Sequence, residues 1–498
     1  MKTLKAGSLD IFLDETQLRY IQCNGVEIIR GIYAAVRNEN WDTIIPKVEI
    51  VSFQEAENAF KVVLNALYRQ DDIHFKASFT YEGKSNNEVV CIFEGKSYTN
   101  FKKNRIGFCV LHPLKECVGK KIIINGSEKK TFPAFISPHQ PFFNVQSMTW
   151  FPSENSQAAL IFEGEIFETE DQRNWTDASY KTYCTPLSKP FPVWVKEGEA
   201  IKQKVTLRFQ VVDDNAFTEK KAPQIPQFPT ELEEMRTSLG LGISTEKAVL
   251  SEQELILLKS TKVDHLRADI GLLSPNWQQE MKRASEQANA LGWRLEAVLH
   301  FSENYEQEAN DFLNHALSKS VSYHSILLLR YRKAGWEVSA QRFLVDTFRA
   351  ALPEIKLGIG TDAYFAELNR ASLDVSNIDF IAFSINPQVH AFDDLSLIET
   401  LEAQKDTIQT AKQKYKNIPV HVHSVTLKPR FNPNATNTNE TGYPQSDERQ
   451  STDFCYQWTR ASIDILQKAG AESITYFETV GLRGIMNGEK FPVFEAFC

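Results

Sequence analysis

Reactive side chains cluster at particular places in the C-terminal half of the 498-residue chain. Arg267 and Asp269 stand two apart, as do His421 and His423, while Glu296 and His300 are four apart. In an extended strand each of these pairs points to one side. Asp362 follows the run IKLGIG, Asn386, His390 and Asp393 lie in NPQVHAFD, and Glu478 closes the run ESITYFET. A base, an acid and a cation gathered at one place suit hydrolysis of an ester or a glycosidic bond. Glu478 is the foremost catalytic candidate, with His300, Asp269 and Glu296 beside it, and Arg267, Asn386 and His390 are candidate substrate contacts. His421 and His423 with His390 and Asp269 would be a possible ligand set, but there is no H-E-x-x-H spacing, and no metal or other cofactor is expected. P-loop, dinucleotide and G-x-S-x-G signatures are absent too.

A second concentration of polar and aromatic groups is DQRNWTDASYKTYCTPL, residues 171–187. Asp171, Arg173 and Asn174 interleave with Trp175 and Tyr183, a mixture suited to a polyhydroxylated ligand or to a buried polar junction.

These residues need elements to hold them. Up to about residue 212 the apolar pattern has period 2. Examples are LDIFLDE (9–15), VEIIRGIYAAV (26–36), FKVVLNALY (60–68), DIHFKASFTYEG (72–83), EVVCIFEG (88–95), RIGFCVLH (105–112), ALIFEGEIFE (159–168) and KVTLRFQVV (204–212). Many such strands without helical spacing predict an antiparallel, β-sandwich-like domain over residues 1–212. Residues 213–236, carrying Pro223, Pro226 and Pro229, read as a linker.

From 237 to 498 the pattern changes to eight short apolar runs (239–245, 263–270, 294–301, 325–331, 355–360, 378–385, 418–425 and 472–479), with amphipathic segments between them. Eight such β units predict a (β/α)₈ TIM barrel, whose active site forms where the strands end. After the eighth run only VGLRGIMNGEKFPVFEAFC remains, so the final helix or a further segment is expected to be missing.

Composition narrows the function classes. Hydrophobic residues at 42% and charged residues at 24% are ordinary globular values, and a net charge of −9 without a basic block speaks against nucleic acid. No apolar run reaches the roughly 18 residues of a membrane helix, and no signal-peptide core is seen, so a cytoplasmic protein without a membrane partner is expected. Seven scattered cysteines with no C-x-x-C predict reduced thiols.

With DQRNWTDASYKTYCTPL, IGFCVLHP (106–113), SPHQPF (137–142) and NPQVHAFD (386–393), the chain resembles the D-apionate lactonases over nearly its whole length. The resemblance implies an N-terminal β domain, a barrel and hydrolysis of a small sugar lactone, D-apionolactone, to D-apionate in apiose catabolism. It brings no catalytic residues with it, so the site candidates rest on the barrel reading. Glu478 would then serve as base, His300 or Asp269 as acid, and Arg267 with Asn386 or His390 as oxyanion and hydroxyl contacts. The competing readings are a TIM-barrel glycoside hydrolase using two carboxylates, Glu478 with Glu296 or Asp269, and a non-catalytic carbohydrate-binding protein.

Overall fold

The computed structural model describes residues 1–211, 224–234, 237–319, 323–331, 336–416, 418–430 and 446–498. Most of the expected linker, 213–223 and 235–236, therefore lies outside the described residues, as does residue 212. Contacts divide the chain into two units. One comprises residues 1–172 and 178–225, and the other residues 173–177 together with 226–498.

The N-terminal unit consists of two nine-stranded antiparallel sheets. Alternation along each strand buries one face; Ile73–Lys84 alternates buried with partly exposed residues over almost its full length. Rings from the two sheets meet between them, Phe93 against Phe108 at 6.0 Å and Trp150 against His112 at 5.5 Å. The run 159–168, read as one strand, is two. Ser156–Glu163 pairs in one sheet and Phe167–Asp171 in the other. Gly164, at φ +93°, makes the break, because a left-handed backbone cannot continue a strand.

In the second unit eight parallel strands close into a barrel in sequence order. Counted within the barrel they are β1 (Ser238–Gly242), β2 (His265–Gly271), β3 (Arg294–Phe301), β4 (Ser325–Arg330), β5 (Lys356–Gly360), β6 (Phe380–Ile385), β7 (Val420–Val425) and β8 (Ser473–Glu478). Each coincides with one of the eight apolar runs. The helices between them are α1 (Glu252–Lys259), α2 (Trp277–Leu291), α3 (Tyr305–Lys319), α4 (Val338–Ala351), α5 (Phe365–Arg370), α6 (Asp394–Lys414) and α7 (Asp453–Ala469). Local chemistry sets their ends. Ser251 and Glu254 form a reciprocal capping box on α1, and left-handed Gly292 and Gly470 stop α2 and α7. Asp393 caps α6 by accepting from the Ser396 amide.

The barrel interior is filled unevenly. Val298, Leu327, Leu329, Phe380 and Ala382 form an apolar cluster. Gly358 has no side chain because a Cβ there would lie 2.2 Å from the Phe380 ring. Elsewhere the filling is polar. Glu296 accepts from the Ser325 hydroxyl at 3.1 Å and lies 2.6 Å from His423 Nδ1, while His265 Nε2 meets the Thr475 hydroxyl at 2.8 Å.

Candidate active site

A cleft of about 740 Å³ opens where the barrel strands end, with Thr245, Arg267, Asp269, Arg430, Glu478 and Arg483 among its lining. A larger open groove of about 870 Å³ runs along residues 159–166 of the N-terminal unit. Its charged groups are engaged, Lys189 with Glu165 at 3.1 Å and Glu163 with Lys204 outside its lining at 3.3 Å, so the chemistry is sought in the barrel cleft.

At the centre of the cleft stands Asp269. Its Oδ1 accepts from Arg267 Nη2 at 2.8 Å and meets His300 Nε2 at 2.9 Å; its Oδ2 accepts from Arg430 Nη2 at 2.8 Å and Arg267 Nε at 3.3 Å. Burial works against its charge, but Arg267 and Arg430 outweigh that and hold Asp269 well below the usual carboxylate range. Asp269 is thus a permanent anion that orients two guanidinium groups and an imidazole. On each guanidinium one nitrogen, Nη1, is buried and has no hydrogen-bond partner among the described residues. A buried donor without a partner can be completed by water, an ion or a ligand, and these two flank the same carboxylate. On its other side, His300 Nδ1 lies 3.9 Å from Asp362 Oδ2.

Glu478 reaches the cleft through a backbone irregularity. Thr475 meets His265 inside the barrel, and the next residue, Tyr476, points outward to donate to Ser462 on α7 at 2.9 Å. Simple alternation would send Glu478 outward as well. Instead the register against β1 shifts so that Phe477 and Glu478 together oppose Gly242, and Phe477 adopts φ +34°. This bulge turns Glu478 back toward the cleft. There its carboxylate accepts from the Thr245 amide and hydroxyl, both at 2.9 Å, and from Arg483 Nε at 2.9 Å.

The other candidates are placed elsewhere. Glu296 lies inside the barrel, 2% exposed, and does not line the cleft. Burial opposes its charge too, but His423, His265 and His421 together hold its pKa below the usual range. Asn386 donates to the Thr426 hydroxyl at 3.3 Å, and only Thr426 of that pair lines the cleft. His390 Nδ1 meets Asp177 at 2.6 Å, and its ring stands edge-on to Trp175 at 5.3 Å. Arg173 donates to Asp406 on α6 at 2.8 Å, and Asn174 accepts from Asn369 on α5 at 3.0 Å. Asp171 and Tyr183 belong to the N-terminal unit, where Asp171 accepts from the Ser137 amide at 3.0 Å and the Tyr183 hydroxyl donates to Glu168 at 2.5 Å. No residue of 171–183 lines the cleft.

Within the barrel unit residues 173–177 bond α5, α6 and His390. Arg173 is fully buried, so Arg173→Ala strands the Asp406 carboxylate, and the barrel unit is expected to lose about 3–5 kcal/mol in a denaturant titration. An unchanged unfolding midpoint would assign the pair no structural role.

Among the described residues two groups have ligand atoms close enough together for a cation, each within 4.8 Å: His265, Glu296 and His423 in the barrel interior, and Asp269, His300 and Asp362, of which Asp269 lines the cleft. At the cleft the lone pairs of Asp269 are already taken by Arg267, Arg430 and His300. Four participants escaped the sequence reading as site residues: Thr245, Asp362, Arg430 and Arg483. Asp362 lies two residues past the end of β5 and was visible as a strand-end residue. Arg430 lies in KPRFNP, which has no periodicity to mark it.

No helix among the described residues is long and apolar enough to cross a membrane. The cysteines are all free, and only Cys498 is exposed.

Known proteins show the same two-part organisation in sequence. Residues 1–212 match the family described as "D-apionate lactonase, N-terminal domain", and residues 239–497 match "D-apionate lactonase, TIM barrel domain". A Brucella anthropi protein named D-apionate lactonase is 27% identical over 522 residues, spanning 98% of this chain and 84% of its own. Solved structures with partial likeness include a galactose 1-epimerase from Lactobacillus acidophilus (9% identity, 42% of this chain and 93% of that one, TM-score 0.29). Another is endo-glycoceramidase II from Rhodococcus sp. (11% identity, 54% and 80%, TM-score 0.35). At those scores neither bears on the reaction. The matches to both halves, with the barrel match alone covering more than half of the sequence, establish that this chain belongs to the D-apionate lactonase family.

Proposed function

We propose that the barrel cleft hydrolyses a small, uncharged sugar lactone, D-apionolactone to D-apionate, as a step of apiose catabolism in the cytoplasm. Family membership supports the reaction class, and the relative's name supports the substrate. Unpaired cysteines accord with a reducing compartment. The observation that carries the reading is the pair of Nη1 groups on Arg267 and Arg430 that have no partner among the described residues. Attack of water on a lactone carbonyl moves negative charge onto one oxygen. Two guanidinium donors already fixed by Asp269 receive that charge without having to reorganise. His300, held by Asp269, supplies a proton to the ring oxygen as it leaves. Glu478, steadied by Thr245 and Arg483, accepts a hydrogen bond from a substrate hydroxyl. Both of its oxygens already accept charge-assisted or amide bonds, which makes it a better anchor than base.

The test is proton release from purified protein with D-apionolactone, other five-carbon lactones and aryl glycosides, each with and without a chelator. Acid is expected from the apionolactone at a rate the chelator leaves unchanged. Phenol release from the glycosides without acid from any lactone would overturn the proposal in favour of a glycoside hydrolase.

A further inference from the structure

The three carboxylates nearest the guanidinium pair differ in what their oxygens already hold. Both oxygens of Asp269 accept two contacts each, from Arg267, Arg430 and His300. Glu478 accepts from the Thr245 amide and hydroxyl and from Arg483. Asp362 differs. Its Oδ2 faces His300 Nδ1 at 3.9 Å, and its Oδ1 is buried with no hydrogen-bond partner among the described residues. The side chain is 10% exposed. A carboxylate oxygen withdrawn from water without a donor is unfavourable unless a ligand completes it.

Resting on the lactonase reading, we infer that Asp362 is the catalytic base, its Oδ1 taking a proton from the water that attacks the lactone carbonyl. The water oxygen bonds to the carbonyl carbon as one of its protons passes to Asp362, and the resulting oxyanion rests on Arg267 and Arg430. Collapse breaks the bond between the carbonyl carbon and the ring oxygen, and the proton taken up by Asp362 passes through a water in the 3.9 Å between Asp362 and His300 Nδ1 to His300 and on to the ring oxygen, so that Asp362 and His300 end as they began. The second water proton leaves to solvent when the product acid ionises, so one lactone and one water give one hydroxy carboxylate and one proton.

A divalent cation held by Asp269, His300 and Asp362 would use the same atoms, and charge balance argues against it. The two carboxylates are matched by two guanidinium groups, Arg267 and Arg430, and Arg430 is drawn further toward its charged form, against burial, by Asp269 and then Asp362. A dication would leave this quartet positively charged and would have to displace donors from Asp269.

The test uses Asp362→Asn and Asp362→Gly in the full chain, with D-apionolactone as substrate and formate as a stand-in for the missing carboxylate. Asp362→Asn is expected to lower kcat by about 10²–10⁴-fold, with KM changed by only a few-fold. Asp362→Gly is expected to regain turnover in proportion to added formate, which a purely structural residue would not permit. Melting curves accompany both variants, so that a folding defect is seen directly. Turnover of Asp362→Asn within about tenfold of wild type overturns the inference. So does loss of turnover in Asp362→Gly that formate cannot restore, or a tightly bound divalent metal that Asp362→Asn loses. If the wild type is inert toward every lactone, the function reading fails first and this inference falls with it, an outcome distinct from an active wild type with an active Asn variant.

Discussion

Arg430→Met is expected to lower kcat/KM for the lactone by about 10²–10³-fold, equivalent to roughly 2.7–4 kcal/mol of transition-state stabilisation. Its guanidinium has two tasks. Nη2 holds Asp269 Oδ2, and Nη1 is buried without a partner among the described residues. Met keeps the length and apolar stem but removes every donor. Arg430→Lys is expected to recover little, because one ammonium cannot bind Asp269 and a developing oxyanion with fixed, planar geometry. The side chain is 27% exposed and Asp269 keeps Arg267, so the loss is expected in turnover and not in folding. Arg267 is less clean as a probe. It is 1% exposed, and removing it would also leave part of Asp269 unpaired in the interior. Steady-state kinetics paired with a melting curve decide the matter, and an Arg430→Met enzyme at full speed would remove Arg430 from the mechanism.

The second large effect is acid lability of the barrel. Burial pushes His265 down to about 3 and His423 down to about 4, with Glu296 only partly offsetting it. In the unfolded chain both titrate near the ordinary histidine value of about 6.5. Between those values the unfolded state binds more protons than the folded state, so stability rises with pH. The contribution is complete above about 6.5 and drains as pH falls toward about 4, at about 1.4 kcal/mol per pH unit for each histidine. Glu296, held below its usual range, adds a loss of the same sign at still lower pH. The melting temperature is therefore expected to fall steeply between about pH 6.5 and about pH 4, and His265→Asn or His423→Gln to flatten the slope. A melting temperature that stays level through that interval would contradict buried, neutral histidines.

The barrel was legible because each parallel strand is covered on both faces and reads as a continuous apolar run. Every one of the eight runs became a strand, and reading polar residues where those runs stop pointed to Arg267, Asp269, His300 and Glu478. The same rule could not separate a strand's mouth from its middle. Glu296 and His300 share a face of β3, yet Glu296 is shut inside with His423 while His300 bonds Asp269. Residues 171–183 misled differently. Aromatic and charged groups in alternation suit a sugar, but they suit a buried polar junction equally well, and Arg173 and Asn174 are consumed by α6 and α5. Arg430 lay beyond reach because a loop residue acquires meaning only from what folds next to it. In the N-terminal unit, ALIFEGEIFE looked uninterrupted because one glycine does little to a periodic pattern, even where it sends the halves into different sheets.

The kink at Phe477 makes the direction of Glu478 a property of main-chain packing. At Gly242 a Cβ would lie 2.8 Å from the Phe477 carbonyl oxygen, closer than real Cβ atoms come. A residue without charge or any role in chemistry therefore steers a charged one from the neighbouring strand. Rebuilding this pocket in another scaffold would require copying a hydrogen atom at position 242 as faithfully as the acid it aims.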